Sequence, residues 1–284
     1  MKNITNYLGL IIAFAFISNV SAQDFQGIAT YKTHRKVELK MDSTKVTSAM
    51  ERQMQEMIKK QFQKTYKLSF NKENSIYKEE ETLGAPQARG GSIMMSSFGG
   101  GGSDVLFKDN KKQAFTSQKE TMGKIFLIQD SLPNYSWKLE NETKYIGEYA
   151  CFKATYTREI EVPKSGIFSV SNVKSEEAPE MVKKEIVTTA WYTPQIPISN
   201  GPGKYQGLPG LILEINDGSQ TIICTSIVLN PTDKLAIVAP TKGKKVNQKE
   251  YDDIMDKRMK EMQEQYRPSG RSGGGEHIEI RIGG

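Results

Sequence analysis

Residues 190–217 read AWYTPQIPISNGPGKYQGLPGLILEIND, and this is the most distinctive stretch of the chain. It places four prolines and four glycines between two segments with the composition of β-strands. Proline rings fix the backbone angle φ, whereas glycines permit positive φ and close backbone approach. We therefore expect this connection to hold one shape and to brace the two strands that it joins.

Strand patterns and turn signals alternate on both sides of this stretch. Predicted strands cover residues 25–39, 66–80, 105–109, 111–120, 124–129, 137–145, 148–158, 184–192, 210–216 and 220–229. Turn signals such as Asp109-Asn110 and Asp217-Gly218 separate them at near-hairpin spacing. Because parallel neighbours need long crossovers, strands joined by short turns pair antiparallel. The pattern predicts one large antiparallel sheet.

In two segments the apolar residues recur every three to four positions, which is typical of amphipathic helices. These segments are residues 43–64 and 248–265. Helices on one face of an antiparallel sheet give the α+β solution to burying a half-apolar surface. We therefore expect an α+β fold: a large curved antiparallel sheet, shaped as a half-open barrel, with two amphipathic helices over its concave side.

The N-terminus has the layout of a secretory signal peptide. Lys2 precedes an apolar stretch over residues 8–20, which ends in the small-residue sequence Val20-Ser21-Ala22. This stretch is shorter than the roughly 20 residues that a membrane-spanning helix needs. No cysteine follows it as a site for lipid attachment. We expect a signal peptide over residues 1–22, a single domain over 23–267, a tail over 268–284, a periplasmic or secreted location and no stable membrane anchor.

The sequence GLPGLI at residues 207–212 resembles the motif that gives the GLPGLI family its name. The AWYT sequence at residues 190–193 and the Gly201-Pro202 pair resemble the same pattern. Members of this family are exported proteins, mainly of Bacteroidetes, and lack an established biochemical role. The resemblance therefore implies a cell-envelope setting. The architecture is also distantly similar to periplasmic lipoprotein carriers of the LolA type, whose half-open barrel shields an acyl chain.

Charge and cysteine content exclude several kinds of partner. Lysine plus arginine exceeds aspartate plus glutamate by 39 − 33 = 6 residues, and these charges are dispersed, so we expect no nucleic-acid partner. Cys151 and Cys224 are the two cysteines. They form either a disulfide or two buried free thiols, because an exported protein permits both. They lack the neighbouring ligands that a zinc site needs.

Known catalytic motifs are scarce. The chain lacks the His-Glu-x-x-His zinc motif, the phosphate-binding loop and a Cys-x-x-Cys pair. Its two histidines, His34 and His277, belong to distant segments. We expect no catalytic residues, no metal and no cofactor. An exported hydrolase that uses an acidic site near Glu214 and Asp217 stays open as an alternative, although a solvated strand and a turn also explain these carboxylates.

Methionines recur on both predicted helices at positions i, i+4 and i+7. Their thioethers are soft and adaptable, so they suit the lining of an apolar site, and they also suit Cu(I) or ordinary packing against the sheet. The candidate binding residues in these stripes are Met50, Met54, Met57, Met255, Met259 and Met262.

Aromatic residues flank the stiff connection. Trp191, Tyr192 and Tyr205, together with Leu208 and Pro209, form a candidate recognition surface, because aromatic side chains combine a large contact area with a polar group. The alternative is that these rings fasten the connection to the sheet. Residues 277–282 alternate apolar and charged side chains, which predicts a short strand that adds to a sheet edge of its own chain or of a partner.

These features together predict a non-enzymatic periplasmic protein that binds or carries an apolar ligand, such as a lipid, or a partner polypeptide. The cell-envelope setting favours an outer-membrane transport or assembly protein as the partner. The alternatives are the exported hydrolase and a purely structural envelope protein.

Overall fold

A computed structural model describes residues 25–40, 52, 56, 63–80, 104–163, 181–265 and 279–282. The predicted signal peptide over residues 1–22 lies outside the described residues. So does the helix predicted over residues 43–64, apart from Arg52, Glu56 and its last two positions.

Strands dominate the described residues. They are β1 (Gln26–Arg35), β2 (Val37–Lys40), β3 (Thr65–Asn71), β4 (Asn74–Glu79), β5 (Val105–Asp109), β6 (Ala114–Thr121), β7 (Lys124–Ser131), β8 (Lys138–Ile146), β9 (Tyr149–Pro163), β10 (Met181–Thr193), β11 (Leu211–Asn216), β12 (Gln220–Leu229), β13 (Lys244–Val246) and β14 (Glu279–Ile282). Twelve of them form one sheet in the order β13-β7-β6-β5-β4-β3-β1-β12-β11-β10-β9-β8. Neighbours run antiparallel, except that β13 is parallel to β7.

Alternating side chains give this sheet an inner face. Ala29 and Tyr31 on β1 and Leu68 and Phe70 on β3 are fully buried, while the residues between them are more exposed. This is the period of two that places successive side chains on opposite faces of a strand. The inner core continues through Tyr77, Phe115, Phe126, Cys151, Leu211, Leu213 and Cys224.

The sheet is strongly curved. In a flat sheet, β5 and β11 would lie about 24 Å apart, because five strand spacings of about 4.8 Å separate them. Yet the Lys108 ammonium on β5 donates a hydrogen bond of 2.7 Å to the carbonyl of Gly201, beside the start of β11. The curvature therefore brings the inner side of β5 close to the chain beside the start of β11.

One helix, α1 (Gln248–Gln265), covers the residues for which the sequence predicts it. Asn247 and Glu250 form a reciprocal capping box at its start. Tyr251 packs on Phe126 of β7 with ring centroids 5.4 Å apart. No helix in the described parts of the chain combines the length and apolar character needed to cross a bilayer.

The predicted α+β class with two covering helices is wrong. The described residues are mostly strand and contain one continuous helix, and the sheet is not closed, since its end strands β13 and β8 do not pair with each other. The single helix α1 packs against the inner core at the β7 end of the sheet, through Tyr251, Ile254 and Met255. The physical reason is that curvature already brings inner side chains from both halves of the sheet into contact.

The C-terminal strand adds to a strand of its own chain. Strand β14 pairs antiparallel with β2 in a separate two-stranded sheet. The register sets Glu279 opposite Lys40 and Arg281 opposite Glu38, with apolar pairs between them.

The two cysteines are buried free thiols. Cys151 is on β9 and Cys224 on β12, and β10 and β11 separate these strands. Burial raises the thiol pKa to about 11 for Cys151 and about 12 for Cys224, so both stay protonated at neutral pH. Of the two states left open by the sequence, the structure has the free thiols.

Candidate binding surface

Residues 194–210, here called the Pro/Gly segment, wrap around the end of β10 and β11. Ile196 and Ile198 enter the inner core, and Leu208 enters a second core on the other side of the sheet. The Leu211 N–H donates to the Ile196 carbonyl at 3.0 Å, and the Ile212 N–H donates to the Asn200 carbonyl at 2.9 Å. These bonds fasten the segment to the start of β11.

The second core lies where two small residues face each other. Ala154 on β9 is directly opposite Ala190 on β10, and both are fully buried. Leu208 joins them in this core and is 1% exposed. Alanine leaves the space that a leucine side chain from the segment can occupy, so the GLPGLI sequence anchors the segment here.

We expect Leu208→Ala to lower the free energy of unfolding by about 3 kcal/mol, because it removes buried methyl groups and leaves a cavity. Chemical denaturation measures the change. The neighbouring Pro209 is exposed, so Pro209→Ala is the matched control, with an expected change below about 0.5 kcal/mol. Equal effects of the two substitutions would contradict the anchoring role of Leu208.

Four aromatic rings gather over this second core. The Tyr135 ring lies within 5.4 Å of the rings of Trp137, Tyr156 and Tyr205, centroid to centroid. The Trp137 indole N–H donates to the Gln206 carbonyl at 2.8 Å, which ties the cluster to the Pro/Gly segment. Burial raises the pKa of the Tyr135 and Tyr205 hydroxyls, so both rings stay neutral.

Exposed apolar side chains continue this surface to the end of the sheet. Tyr156 and Phe152 point to the same side of β9, because they are four residues apart on one strand. Leu139 and Tyr145 on β8 share that side, opposite Ala154 and Ala150 of β9. We call the surface formed by these side chains the aromatic face: Tyr135, Trp137, Leu139, Tyr145, Phe152, Tyr156 and Tyr205.

Charged groups occupy the other side of the same strands. Lys144 forms a 2.7 Å ion pair with Glu214, and its ammonium lies 4.4 Å from the centroid of the Trp191 ring. Lys153 forms a 2.7 Å ion pair with Glu142. Lys153 also forms an ion pair with Glu140 at 3.3 Å. The charged side chains named here are therefore paired on this side, and the aromatic face carries the apolar side chains.

The two carboxylates considered as an acidic site have structural partners. Glu214 accepts the Lys144 hydrogen bond at 2.7 Å. Asp217 accepts hydrogen bonds from the backbone N–H groups of Ser219 and Gln220, at 3.0 and 2.8 Å, and so closes the turn between β11 and β12.

Lys108 holds the Pro/Gly segment from the opposite half of the sheet. It is fully buried, and its ammonium donates to the carbonyls of Gly201 and Tyr205 at 2.7 and 3.3 Å. Burial lowers its pKa from 10.5 to about 7. Ser75, directly opposite Lys108 on β4, has a buried hydroxyl without a hydrogen-bond partner among the described residues. A charged lysine is therefore costly here.

The structure divides the predicted aromatic site between the two sides of the sheet. Tyr192 and Leu208 are buried in the second core, and Tyr205 packs against it. Pro209 is exposed beside them. Trp191 points to the opposite side, where it packs against the inner core under Lys144.

The predicted methionine site is only partly described. Met50, Met54 and Met57 lie outside the described residues. Met255, Met259 and Met262 are half-buried on α1, and Met255 packs against the inner core. The structure thus places Met255, Met259 and Met262, on α1, at the β7 end of the sheet, with β8 and the aromatic face at the other end of the strand order.

In the described part of the chain, the inner side of the sheet is a hydrophobic core of packed side chains. Fully buried residues from strands and from the Pro/Gly segment pack together there, including Tyr31, Phe70, Ile196 and Leu211. An open depression of about 440 Å³ lies on α1 and is lined by charged residues: Asp253, Asp256, Lys257, Lys260 and Glu261. Across the described ranges, no three His, Cys, Asp or Glu side chains cluster in a way that would hold a metal ion.

Residues 137–214 match the model of a family described as "Protein of unknown function (Porph_ging)". The match begins at Trp137 in the aromatic face, contains the whole Pro/Gly segment and ends at Glu214 on β11. The GLPGLI family name itself is not confirmed by this match.

Two solved structures of PNGF-II, in space groups C2 and P21, resemble the chain with TM-scores of 0.46 and 0.47 at 14% and 15% sequence identity. The likeness covers 82% of this chain and 33% of PNGF-II, so this chain corresponds to about a third of that protein. No curated protein matches the chain.

Proposed function

We propose that this chain, part of which matches a family without an assigned activity, is an exported GLPGLI-type protein of the cell envelope that binds a partner polypeptide. The aromatic face is the binding surface. The observation that carries the proposal is the exposure of three large apolar side chains beside a fixed aromatic cluster: Leu139 at 57%, Tyr145 at 77% and Phe152 at 37%. Aromatic residues are enriched at the centres of protein interfaces.

The cluster behind these residues is preorganised. The indole hydrogen bond of Trp137 and the burial of Leu208 fix the rings that flank the exposed side chains. A surface that is already ordered loses less conformational entropy on binding, so more of the contact energy appears as affinity.

A polypeptide fits this geometry better than a small apolar ligand does. Ligands of that kind bind in concave sites that enclose most of their surface. On the inner side the described residues form a buried hydrophobic core, whereas the aromatic face is an open surface that includes the end strand β8. The signal-peptide pattern of residues 1–22 and the GLPGLI sequence support the export part of the proposal.

Site-specific photo-crosslinking in cells of the source organism tests this proposal. The crosslinking residue p-benzoylphenylalanine replaces Tyr145 or Phe152, and a matched variant carries it at Met122. Met122 is 46% exposed in the turn between β6 and β7, in the other half of the sheet. We expect one polypeptide partner in the adducts from positions 145 and 152 and no such adduct from position 122. Equal crosslinking at all three positions would contradict the proposal.

Side-chain removal on the aromatic face should separate binding from stability. Leu139→Ser and Tyr145→Ser change exposed positions, so we expect the free energy of unfolding to move by less than about 0.5 kcal/mol. The adduct formed from position 152 should fall at least tenfold. Val238→Ser, at a residue 72% exposed outside the aromatic face, is the control and should leave the adduct unchanged. Full adduct yield in both aromatic-face variants would refute the assigned surface.

A further inference from the structure

The two ends of the twelve-stranded sheet are unlike. At one end, the three-residue strand β13 pairs with β7, and α1 follows directly and packs on β7. At the other end is the nine-residue strand β8, which pairs with β9 on one side. Among the described residues no strand pairs with its outer edge.

The register shows which peptide groups of β8 point outward. Ile146 and Tyr149 close a two-residue turn, in which Gly147 has φ of 60°, as a type II′ hairpin requires. The closing residues of such a turn are hydrogen-bonded to each other. Bonded and non-bonded pairs alternate along an antiparallel ladder, so the next pair, Tyr145 with Ala150, is non-bonded.

A side-chain hydrogen bond supports this assignment. The Ala150 N–H donates to the Gln195 side chain at 3.1 Å, away from β8. Tyr145 and, two residues earlier, Thr143 therefore direct their N–H and C=O groups to the open edge. These groups are a template for one more strand.

Charged residues on an edge strand commonly prevent such pairing. On β8, however, Glu142 and Lys144 are already paired with Lys153 and Glu214 on the side away from the aromatic face. An irregularity in the register between Leu139 and Thr143 limits the regular open edge to residues 143–146. The edge therefore suits a short added segment with an apolar side chain over the aromatic face.

We propose that the partner polypeptide adds a short β-strand to residues 143–146 of β8 and places apolar or aromatic side chains against Tyr145 and Phe152. This inference rests on the proposed function and names the form in which the partner binds. The added strand is continuous with the aromatic face, which gives main-chain hydrogen bonds and side-chain contacts at one site. A second copy of this chain suits the edge less well, because the two-fold register that uses all of residues 143–145 sets Lys144 opposite Lys144.

Removing one outward N–H group, by replacing Thr143 with proline, tests strand addition. Thr143→Pro removes that donor, and proline is tolerated at such a position because the N–H makes no bond to β9. Thr143→Val keeps the N–H and is the matched control. With p-benzoylphenylalanine at position 152, we expect the partner adduct to fall at least tenfold in Thr143→Pro and to stay within twofold of the parent in Thr143→Val.

The two variants Tyr145→Ser and Thr143→Pro distinguish failure of strand addition from failure of the proposed function. Loss of the adduct in Tyr145→Ser but not in Thr143→Pro would overturn strand addition and leave the aromatic face as the binding surface. No loss in either variant would overturn the proposed function as well. Thermal unfolding of Thr143→Pro checks that the variant folds.

Hydrogen exchange gives a second readout that needs no substitution at residue 143. In the purified crosslinked complex, the amides of Thr143 and Tyr145 should exchange at least tenfold more slowly than in the free protein. Unchanged exchange at both amides would overturn strand addition even if Thr143→Pro is too unstable to use.

Discussion

Replacing Gly210 by alanine is expected to prevent stable folding. A Cβ atom at this position would overlap the backbone carbonyl of Thr193 and lie 2.9 Å from the backbone nitrogen of Pro194. Both are main-chain atoms at the end of β10, so no side-chain rotation relieves the clash. We expect a loss of more than about 4 kcal/mol, at the extreme of single-substitution effects, because the Pro/Gly segment links both cores.

Gly203→Ala is the matched control for this substitution. Gly203 lies in the same segment with φ of 56°, and a Cβ there would meet no atom within 4 Å. Only the left-handed backbone opposes alanine, at a cost of about 1–2 kcal/mol. Circular dichroism and denaturant titration measure both variants. A Gly210→Ala protein as stable as Gly203→Ala would show that the segment does not approach Thr193 as described.

Lys108→Met should remove a pH dependence of stability that the parent protein shows above neutral pH. The lysine pKa is about 7 in the folded protein against 10.5 ordinarily. Between these values the unfolded chain holds a proton that the folded protein has released. The free energy of unfolding therefore rises with pH across this range, by up to about 1.4 kcal/mol per pH unit. Below the folded pKa both states are charged and the contribution is lost.

The comparison between parent and variant isolates Lys108. Burial also lowers the pKa of Lys204, to about 8, but Lys204 is present in both proteins and its effect cancels. Lys112→Met, at a lysine whose side chain is 79% exposed, is the control and should keep the parent's slope between pH 7 and 10. Equal slopes in the parent and Lys108→Met would contradict a buried lysine of lowered pKa.

Local pattern was enough to predict most strands and one helix. The helix over residues 248–265 was predicted with the bounds that the structure shows, because its apolar period and its capping residues lie within a few positions of each other. Strands such as β6 and β12 were predicted within a few residues of their ends, since their turn signals are local as well. The position of the Pro/Gly segment between two strands was predicted as well, because its prolines and glycines are also local signals.

The sequence predicts a curved sheet, but the long-range contacts that the curvature creates could not be predicted from local pattern. Whether an antiparallel sheet needs a helical cover depends on contacts between strands far apart in sequence, and the contact from Lys108 to Gly201 spans 93 residues. In β5, Leu106 and Lys108 are buried and Phe107 between them is half-buried, although phenylalanine is far more apolar than lysine. The register, and not composition, decides which side of a strand is buried.

Of the aromatic face, the sequence predicted only Tyr205, because the other residues are separate in sequence. Trp191 and Tyr192 are neighbours in the sequence. Adjacent residues of a strand point to opposite sides, however, and only Tyr192 belongs to the second core. Tyr135, Trp137 and Tyr156 meet Tyr205 only after β9 pairs with β10. The alternation of Phe152, Ala154 and Tyr156 was the available signal.

Hydroxyl-radical footprinting in the intact cell envelope tests the central claim most directly, because it reports whether the aromatic face is covered where the protein works. The oxidation rate of Tyr145 in cells of the source organism is compared with its rate in the purified protein, and Met122 serves as the internal reference. The account predicts a several-fold lower rate for Tyr145 in cells and an unchanged rate for Met122. Equal rates for Tyr145 in both settings would mean that no partner covers this face.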